Sequence, residues 1–183
     1  DAGHAVRSLS FDPDFIQSEF PDHHNFPIDG GDAWKLRIRM IGDRALTNAL
    51  LRLLEDFQPD IIHVHNAVNS MLPLCSALGA YRAEHPSVIA LQTLHDYGVV
   101  CPKSWCIHDD GSVCSGYGVE NCFGNKCCLK FQDKLKLPVM ARMNSARHLA
   151  FDRLVSPSES LVATCAANDI AADCVRNPFK APQ

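Results

Sequence analysis

Two short apolar runs of this chain each end in a histidine that is followed by a polar residue. The first is Asp60-Ile61-Ile62-His63-Val64-His65-Asn66, and the second ends in Leu94-His95-Asp96-Tyr97. An imidazole can exchange a hydrogen bond with a sugar hydroxyl, and it titrates near neutral pH. These residue types suit a polar binding site. The candidate residues for that site are His65, Asn66, His95, Asp96 and Tyr97.

Six of the nine cysteines fall in one stretch, spaced Cys101-x4-Cys106-x7-Cys114-x7-Cys122-x4-Cys127-Cys128. This is not the pair of C-x2-C knuckles typical of zinc sites, so the spacing alone does not identify a metal. Four thiolates can nevertheless close a tetrahedral zinc site and hold together a loop with few apolar residues. The candidate ligands are Cys101, Cys114, Cys122 and Cys127. Disulfides and unmodified thiols are the alternatives, and no cysteine has an evident base partner that would make it a nucleophile.

The elements that must position these residues alternate as helix, strand, helix, strand. Apolar spacing predicts helices over 43–57, with Asp43 as the N-cap, and over 70–81, and strands over Ile61–His65 and 88–94. This alternation predicts an α/β fold with a parallel sheet and right-handed crossovers. In open parallel sheets ligands bind beyond the carboxyl ends of the strands, where both histidine motifs then lie. We expect the first strand to be buried on both faces, with His63 pointing away from His65 and bonding neighbouring backbone groups.

The remaining segments give weaker signals. We expect a strand over 5–11, a long loop over 12–32 with solvated His23 and His24, and either a strand or a helix start over 35–40. Residues 104–126 are predicted to be loop. Two short basic helices, 129–136 and 139–150, are predicted on either side of Pro138. A strand over 154–156, a helix opened by Pro157-Ser158-Glu159, and a strand and turn over 174–178 complete the chain.

A basic run extends from Lys126 to Arg153, with seven Lys and Arg against two Asp, a local net charge of +5. It is either a solvated surface or a peripheral contact with an anionic membrane through residues 126–153. The basic residues proposed for that contact are Lys134, Lys136, Arg142 and Arg147. Leu135, Leu137, Val139 and Met143 are interleaved with them.

Composition narrows the class of protein. A chain of 183 residues fits one domain, and 46% hydrophobic with 21% charged residues is typical of soluble globular proteins. The net charge of -4 argues against nucleic-acid binding, and no apolar run approaches the roughly 20 residues needed to span a bilayer. An odd cysteine count in a chain of this size favours a reducing, cytoplasmic location, with the inner face of the membrane as the surface for any peripheral contact.

As an ordered set, three stretches resemble the N-terminal domain of the family-four retaining glycosyltransferases. They are Asp60-Ile61-Ile62-His63-Val64-His65-Asn66, then Thr93-Leu94-His95-Asp96-Tyr97 with Cys101-Pro102 and its cysteine-bearing loop, and finally Val155-Ser156-Pro157-Ser158-Glu159. In the subgroup that this chain resembles, the His-Asp-Tyr strand end is followed by Cys-Pro and several further cysteines. The resemblance covers most of residues 57–178.

The resemblance implies a GT-B fold, in which two Rossmann-like domains face each other across a cleft. It implies that the N-terminal domain binds a polysaccharide or glycolipid acceptor. His95 would be the catalytic residue, in the cleft near the transferred sugar, with His65 and Asn66 along the same edge. A nucleotide-sugar donor would be the co-substrate, held mainly by the C-terminal domain.

The resemblance also implies a domain organisation. Residues 1–178 would form the acceptor domain, with a cysteine-rich insertion over 98–128, and residues 179–183 would begin the interdomain linker. The family's first strand and its Gly-rich loop have no counterpart before Gly3-His4-Ala5-Val6, and no donor domain follows. We therefore expect a fragment that is inactive alone, with an open sheet edge that favours self-association. A non-catalytic, metal-stabilised binding module is the alternative.

Overall fold

The computed structural model describes residues 3–11, 22–26, 42–65, 67, 70–108, 110–116, 118–127 and 131–177. Its main feature is a four-stranded sheet in which every pairing is parallel. The strands follow one another in chain order: β3 (Ile61–His65), β4 (Ile89–Thr93), β5 (Arg153–Ser156) and β6 (Asp173–Cys174). A separate parallel pair joins β1 (Ser8–Ser10) to β2 (His23–Asn25).

Helices precede and connect the strands of the larger sheet. In chain order they are α1 (Arg44–Phe57), α2 (Met71–Glu84), a 3-10 turn (Tyr97–Val99), α3 (Val119–Gly124), α4 (Phe131–Ala150) and α5 (Glu159–Ala166). The prediction of an α/β fold with a Rossmann-like parallel sheet and flanking helices is confirmed. The carboxyl ends of the strands lie along one edge of the sheet, because all four strands run in the same direction.

One face of the sheet carries most of the core. Side chains of β3, β4 and β5 that point to this face are buried, with Val64 8%, Ala90 0% and Leu154 7% exposed. On the opposite face of β3 and β4, Ile61 is 61% and Ile89 48% exposed. The prediction that β3 is buried on both faces is therefore wrong. Within the described residues, β3 is an edge strand that alternates between a covered and an open face.

The helix before β3 has the boundaries that its sequence predicts. Asp43 is the N-cap of α1, and its Oδ1 accepts a hydrogen bond from the backbone N–H of Leu46 at 3.0 Å. The helix ends at Gln58, which adopts a left-handed conformation (φ 50°) and donates its N–H to the carbonyl of Leu54. This end places the chain to enter β3 three residues later.

Two helices are longer than predicted. α2 continues through Glu84 rather than ending at Tyr81, because Tyr81 is fully buried and stacks on His85 with ring centroids 4.3 Å apart. The two basic helices predicted around Pro138 are one helix, α4. Pro138 lies on its exposed side, and packing of Leu137, Met140 and Met143 in the interior outweighs the missing backbone hydrogen bond.

The N-terminal strand pair corrects the prediction of a loop over these residues. Residues 23–25 were expected in a loop with solvated histidines, but they form β2 beside β1. His23 is only 8% exposed. Its Nδ1 lies 2.6 Å from Oγ of Ser8 and its Nε2 lies 2.8 Å from Oγ of Ser10. Both ring nitrogens are thus satisfied. Residues 35–40 and most of the predicted loop over 12–32 lie outside the described residues.

In the described part of the chain, none of the helices combines the length and the apolar character that crossing a bilayer requires.

Candidate functional site

The two histidine motifs meet at the carboxyl edge of the larger sheet. β3 and β4 pair in a register that sets His65 beside Thr93, so that each strand delivers its last residue to the same edge. The chain then continues from Thr93 through the buried Leu94, whose N–H bonds to the carbonyl of Val155, to the exposed His95. His65 is therefore the last residue of a paired strand, and His95 follows β4 by two residues, next to the backbone hydrogen bond of Leu94.

A direct hydrogen bond joins the two histidines. Nδ1 of His65 lies 2.8 Å from Nε2 of His95, and the rings are tilted by 31°. In a neutral pair only one of these two nitrogens carries the shared proton. Two outer nitrogens remain, Nε2 of His65 and Nδ1 of His95. Whichever tautomer is present, one of them is then a hydrogen-bond donor and the other is an acceptor. A sugar hydroxyl, which donates one hydrogen bond and accepts others, matches such a pair.

His63 belongs to the same surface, contrary to the prediction that it would point away from His65. Residues two apart on a strand point to one face, and the ring centroids of His63 and His65 are 4.2 Å apart. Nε2 of His63 lies 2.7 Å from Oγ1 of Thr93, so the partner of this ring is a side chain rather than the backbone. His63 therefore supports the His65–His95 pair from the neighbouring position on β3.

The environment of His65 favours its neutral form. Its pKa is lowered from 6.5, first by burial and then by the proximity of His63 and His95. A lowered pKa in the folded state means that the unfolded chain binds more protons in the window between the lowered value and 6.5. The contribution of His65 to the free energy of unfolding is therefore complete at higher pH. It falls as the pH decreases through that window.

His65→Gln is expected to make thermal stability less sensitive to acid, because glutamine keeps a polar side chain but does not titrate. Melting temperatures measured at about pH 7.5 and about pH 5 should differ less in this variant than in the wild-type chain. His148→Gln, at an exposed position of α4, is the matched control and should keep the wild-type difference. Equal acid sensitivity in wild type and His65→Gln would show that His65 is not the titrating group.

Two other predicted residues of the site, Asp96 and Tyr97, make hydrogen bonds that hold the local structure. Oδ1 of Asp96 accepts a hydrogen bond from the N–H of Gly98 at 2.7 Å and caps the 3-10 turn. A Cβ at Gly98 would lie 2.8 Å from that oxygen, so any larger residue here would displace the Asp96 carboxylate. The hydroxyl of Tyr97 lies 3.1 Å from Oγ of Ser160 in the first turn of α5. Asp96 and Tyr97 thus fix the backbone that follows His95. Asn66 lies outside the described residues.

A buried arginine, which the sequence did not single out for this site, supports the same strand end. Arg147 is 3% exposed; its Nε donates to Oε1 of Gln92 at 3.2 Å and its Nη1 donates to Oδ1 of Asn144 at 2.6 Å. Asn144 in turn donates to the carbonyl of Val99 at 2.9 Å. Burial lowers the pKa of Arg147, and the nearby Cys75 and Asp96 partly oppose this effect. The network ties α4 to β4 and to the turn after His95.

The burial of Arg147 corrects its predicted place in a membrane contact. Leu137 and Met143, also proposed for that surface, are 8% and 2% exposed and belong to the interior. Arg142 and Leu149 are exposed. The basic run is therefore divided between a core face and a solvent face of α4.

The cysteine loop forms a second, separate cluster. Cys101, Cys114, Cys122 and Cys127, the four predicted ligands, all line one small cavity of about 10 Å³. Cys106 is 3% exposed, and burial together with the neighbouring Cys101 and Cys114 raises its pKa to about 12, which makes it a poor nucleophile at neutral pH. Within the described residues, no three His, Cys, Asp or Glu side chains are arranged to hold a metal ion.

Comparison of this chain with known protein families, with the curated proteins and with the solved structures finds no match. The resemblance to the family-four glycosyltransferases therefore depends on the motifs of the chain itself.

Proposed function

We propose that this chain forms the acceptor-binding side of a retaining glycosyltransferase of the GT-B class, which transfers a sugar from a nucleotide-sugar to a polysaccharide or glycolipid. The observation that carries the proposal is the hydrogen bond between Nδ1 of His65 and Nε2 of His95 at the carboxyl edge of a parallel sheet. This edge is where open α/β sheets bind their ligands, and the pair offers a donor and an acceptor suited to a sugar hydroxyl.

In the proposed reaction, the bond between the anomeric carbon and the donor diphosphate breaks, and a bond from that carbon to an acceptor hydroxyl oxygen forms. The hydroxyl proton leaves with the diphosphate, so that no oxidant or further reactant is needed. His95 holds the acceptor hydroxyl toward the anomeric carbon, and His65 orients the ring of His95 through their hydrogen bond. A facing domain binds the nucleotide-sugar and supplies most of the stabilisation of the departing diphosphate.

The proposal also includes a place for a lipid-linked acceptor. The exposed residues of α4, among them Arg142 and Leu149, combine a cation with an apolar side chain that is 83% exposed. This combination suits peripheral contact with an anionic membrane surface. In this proposal the protein is cytoplasmic, and a glycolipid would reach the site from the inner face of the membrane.

Release of nucleoside diphosphate from a panel of nucleotide-sugars tests this proposal. The full-length protein is incubated with each donor, with and without oligosaccharide or glycolipid extracts as acceptors. We expect one donor class to be consumed at least about tenfold faster when acceptor is present, because the acceptor side of the cleft is where these histidines act. Release that is independent of acceptor, or absent with every donor, would contradict the proposal.

The non-catalytic binding module remains the second candidate because four cysteines are among the residues that line one cavity. The two candidates separate in the same assay. A protein that binds metal through the loop and consumes no nucleotide-sugar with any acceptor would fit the binding module rather than the transferase.

A further inference from the structure

A buried histidine in the N-terminal strand pair bridges two serines. β1 and β2 pair in a parallel register that sets Ser8 beside His23 and Ser10 beside Asn25. Because residues two apart on a strand share a face, these four side chains lie on one face of the pair. Nδ1 of His23 lies 2.6 Å from Oγ of Ser8, and its Nε2 lies 2.8 Å from Oγ of Ser10. One imidazole ring therefore connects the two hydroxyls.

The hydrogen bonds of this cluster assign the tautomer of the histidine. Oγ of Ser10 donates to Oδ1 of Asn25 at 2.8 Å, because an amide oxygen can only accept a hydrogen bond. With its proton directed to Asn25, the Ser10 hydroxyl is the acceptor for Nε2–H of His23. A neutral imidazole carries one N–H, so Nδ1 is an acceptor and the hydroxyl of Ser8 donates to it. The Ser8 proton thus already points at a base.

The two ends of this chain of hydrogen bonds differ in their access to solvent. Ser8 is exposed, whereas His23 is only 8% exposed. A hydroxyl that is hydrogen-bonded to an imidazole, with the second ring nitrogen held by a third group, is the arrangement that activates a serine nucleophile. Here Ser8 is the nucleophile, His23 is the general base, and Ser10 orients the base. The nucleophile can be reached from outside while the base is fixed in the interior.

Contacts with α1 and with the core hold β1 in position. Nη1 of Arg7, next to Ser8 in the chain, donates to Oδ2 of Asp56 at 2.7 Å, and the guanidinium carbon of Arg7 lies 4.9 Å from the ring centroid of Phe57. Leu9, on the other face of β1, packs against the hydrophobic core. The backbone that carries Ser8 is therefore anchored on both sides, which favours a fixed geometry between hydroxyl and base.

We propose that Ser8 and His23 form a second reactive site, at which Ser8 accepts an acyl group from an activated ester. Oγ of Ser8 bonds to the acyl carbon, the bond from that carbon to the leaving oxygen breaks, and the Ser8 proton passes through Nδ1 of His23 to the leaving oxygen. One water molecule then attacks the acyl-serine, with His23 again as the base, which releases the carboxylic acid and restores Ser8. The net reaction is ester hydrolysis. It uses none of the residues of the proposed sugar transfer and does not depend on it.

A fluorophosphonate probe, which reacts with activated serines by displacement of fluoride, tests the inference on the full-length protein. We expect peptide mass spectrometry to place the label on Ser8, and Ser8→Ala to remove it. His23→Asn should slow labelling by at least about 100-fold, because asparagine keeps a hydrogen-bonding side chain but is not a base. Ser145→Ala is the matched control. Ser145 is an exposed serine of α4 whose hydroxyl donates to the carbonyl of Ala141, and its loss should leave the rate unchanged.

Two variants of Ser10, the positioning residue of this site, separate orientation of the base from folding. Ser10→Ala removes the acceptor of Nε2–H and should slow labelling by at least about tenfold, whereas Ser10→Thr keeps the hydroxyl and should keep the wild-type rate. The acyl transfer itself is followed by release of p-nitrophenol from p-nitrophenyl acetate, which Ser8→Ala should abolish.

The result in the wild-type protein does not depend on whether any variant folds. Absence of label on native wild type, or a label on serines other than Ser8, would overturn the proposal. So would equal labelling rates in wild type and His23→Asn, or unchanged p-nitrophenol release in Ser8→Ala. Each result is obtained without any measurement of sugar transfer.

Discussion

His95→Ala in the full-length protein is expected to lower kcat/KM for sugar transfer by at least about 100-fold while the protein remains folded. The substitution removes the imidazole proposed to hold the acceptor and breaks the hydrogen bond with His65, so that one of the two matched outer nitrogens is lost. His95 is exposed, and truncation of an exposed side chain usually changes the free energy of unfolding by less than about 0.5 kcal/mol. Steady-state kinetics and a melting curve measure the two effects separately.

His63→Ala is the matched control for this experiment. His63 lies on the same exposed face, but its Nε2 is engaged by Thr93, and it touches His65 rather than His95. We expect its loss to reduce transfer by no more than roughly tenfold, since a residue that acts through another contributes less than one that holds the substrate. Wild-type turnover in His95→Ala, or an equal loss in both variants, would contradict the assignment of His95.

Arg147→Ala is expected to have the largest effect on stability among the polar residues near the site. The change removes the donors to Gln92 and Asn144 and leaves a cavity where the arginine stem was packed. Unsatisfied buried acceptors and the cavity together cost about 4 kcal/mol, of which about 1 kcal/mol is offset by relief of the buried charge. The remaining loss of about 3 kcal/mol corresponds to a decrease in melting temperature of roughly 6 to 12 °C.

Arg142→Ala provides the control on the same helix. Arg142 is exposed, and we expect its removal to change the free energy of unfolding by less than about 0.5 kcal/mol. Denaturant unfolding of both variants gives the comparison. If Arg147→Ala were as mild as Arg142→Ala, the network between α4 and β4 would not stabilise the strand end that carries His95.

The positions of the two histidine motifs could be predicted because they depend on local rules. The apolar runs before His65 and His95 form strands, and parallel strands bring their carboxyl ends to one edge. The orientation of His63 was also open to prediction, because residues two apart on a strand share a face. By that rule His63 belongs to the same cluster as His65, contrary to the prediction.

The role of Arg147 was harder to predict, although a signal existed. Met140, Met143, Asn144 and Arg147 recur at spacings of three and four residues, which marks the inward face of a helix. A run of positive charge obscured that pattern and suggested a surface. Only its hydrogen-bond partners, Oε1 of Gln92 on β4 and Oδ1 of Asn144, show that the guanidinium is satisfied in the interior.

The structure of the cysteine loop could not be predicted from the sequence. The spacing of its cysteines matches no standard zinc motif, and hydrophobic periodicity does not predict how such a loop folds. Cys101, Cys114, Cys122 and Cys127 do line one cavity, but no three described side chains are arranged to hold a metal ion.

The central claim, that His65 and His95 form the acceptor edge of a retaining glycosyltransferase, is tested most directly by the anomeric configuration of the transferred sugar. Proton NMR of the product formed by the full-length protein from its preferred nucleotide-sugar gives that configuration. We predict the configuration of the donor to be retained in a product that wild-type protein forms and His95→Ala does not. An inverted product, or a retained product formed equally well by His95→Ala, would contradict the account.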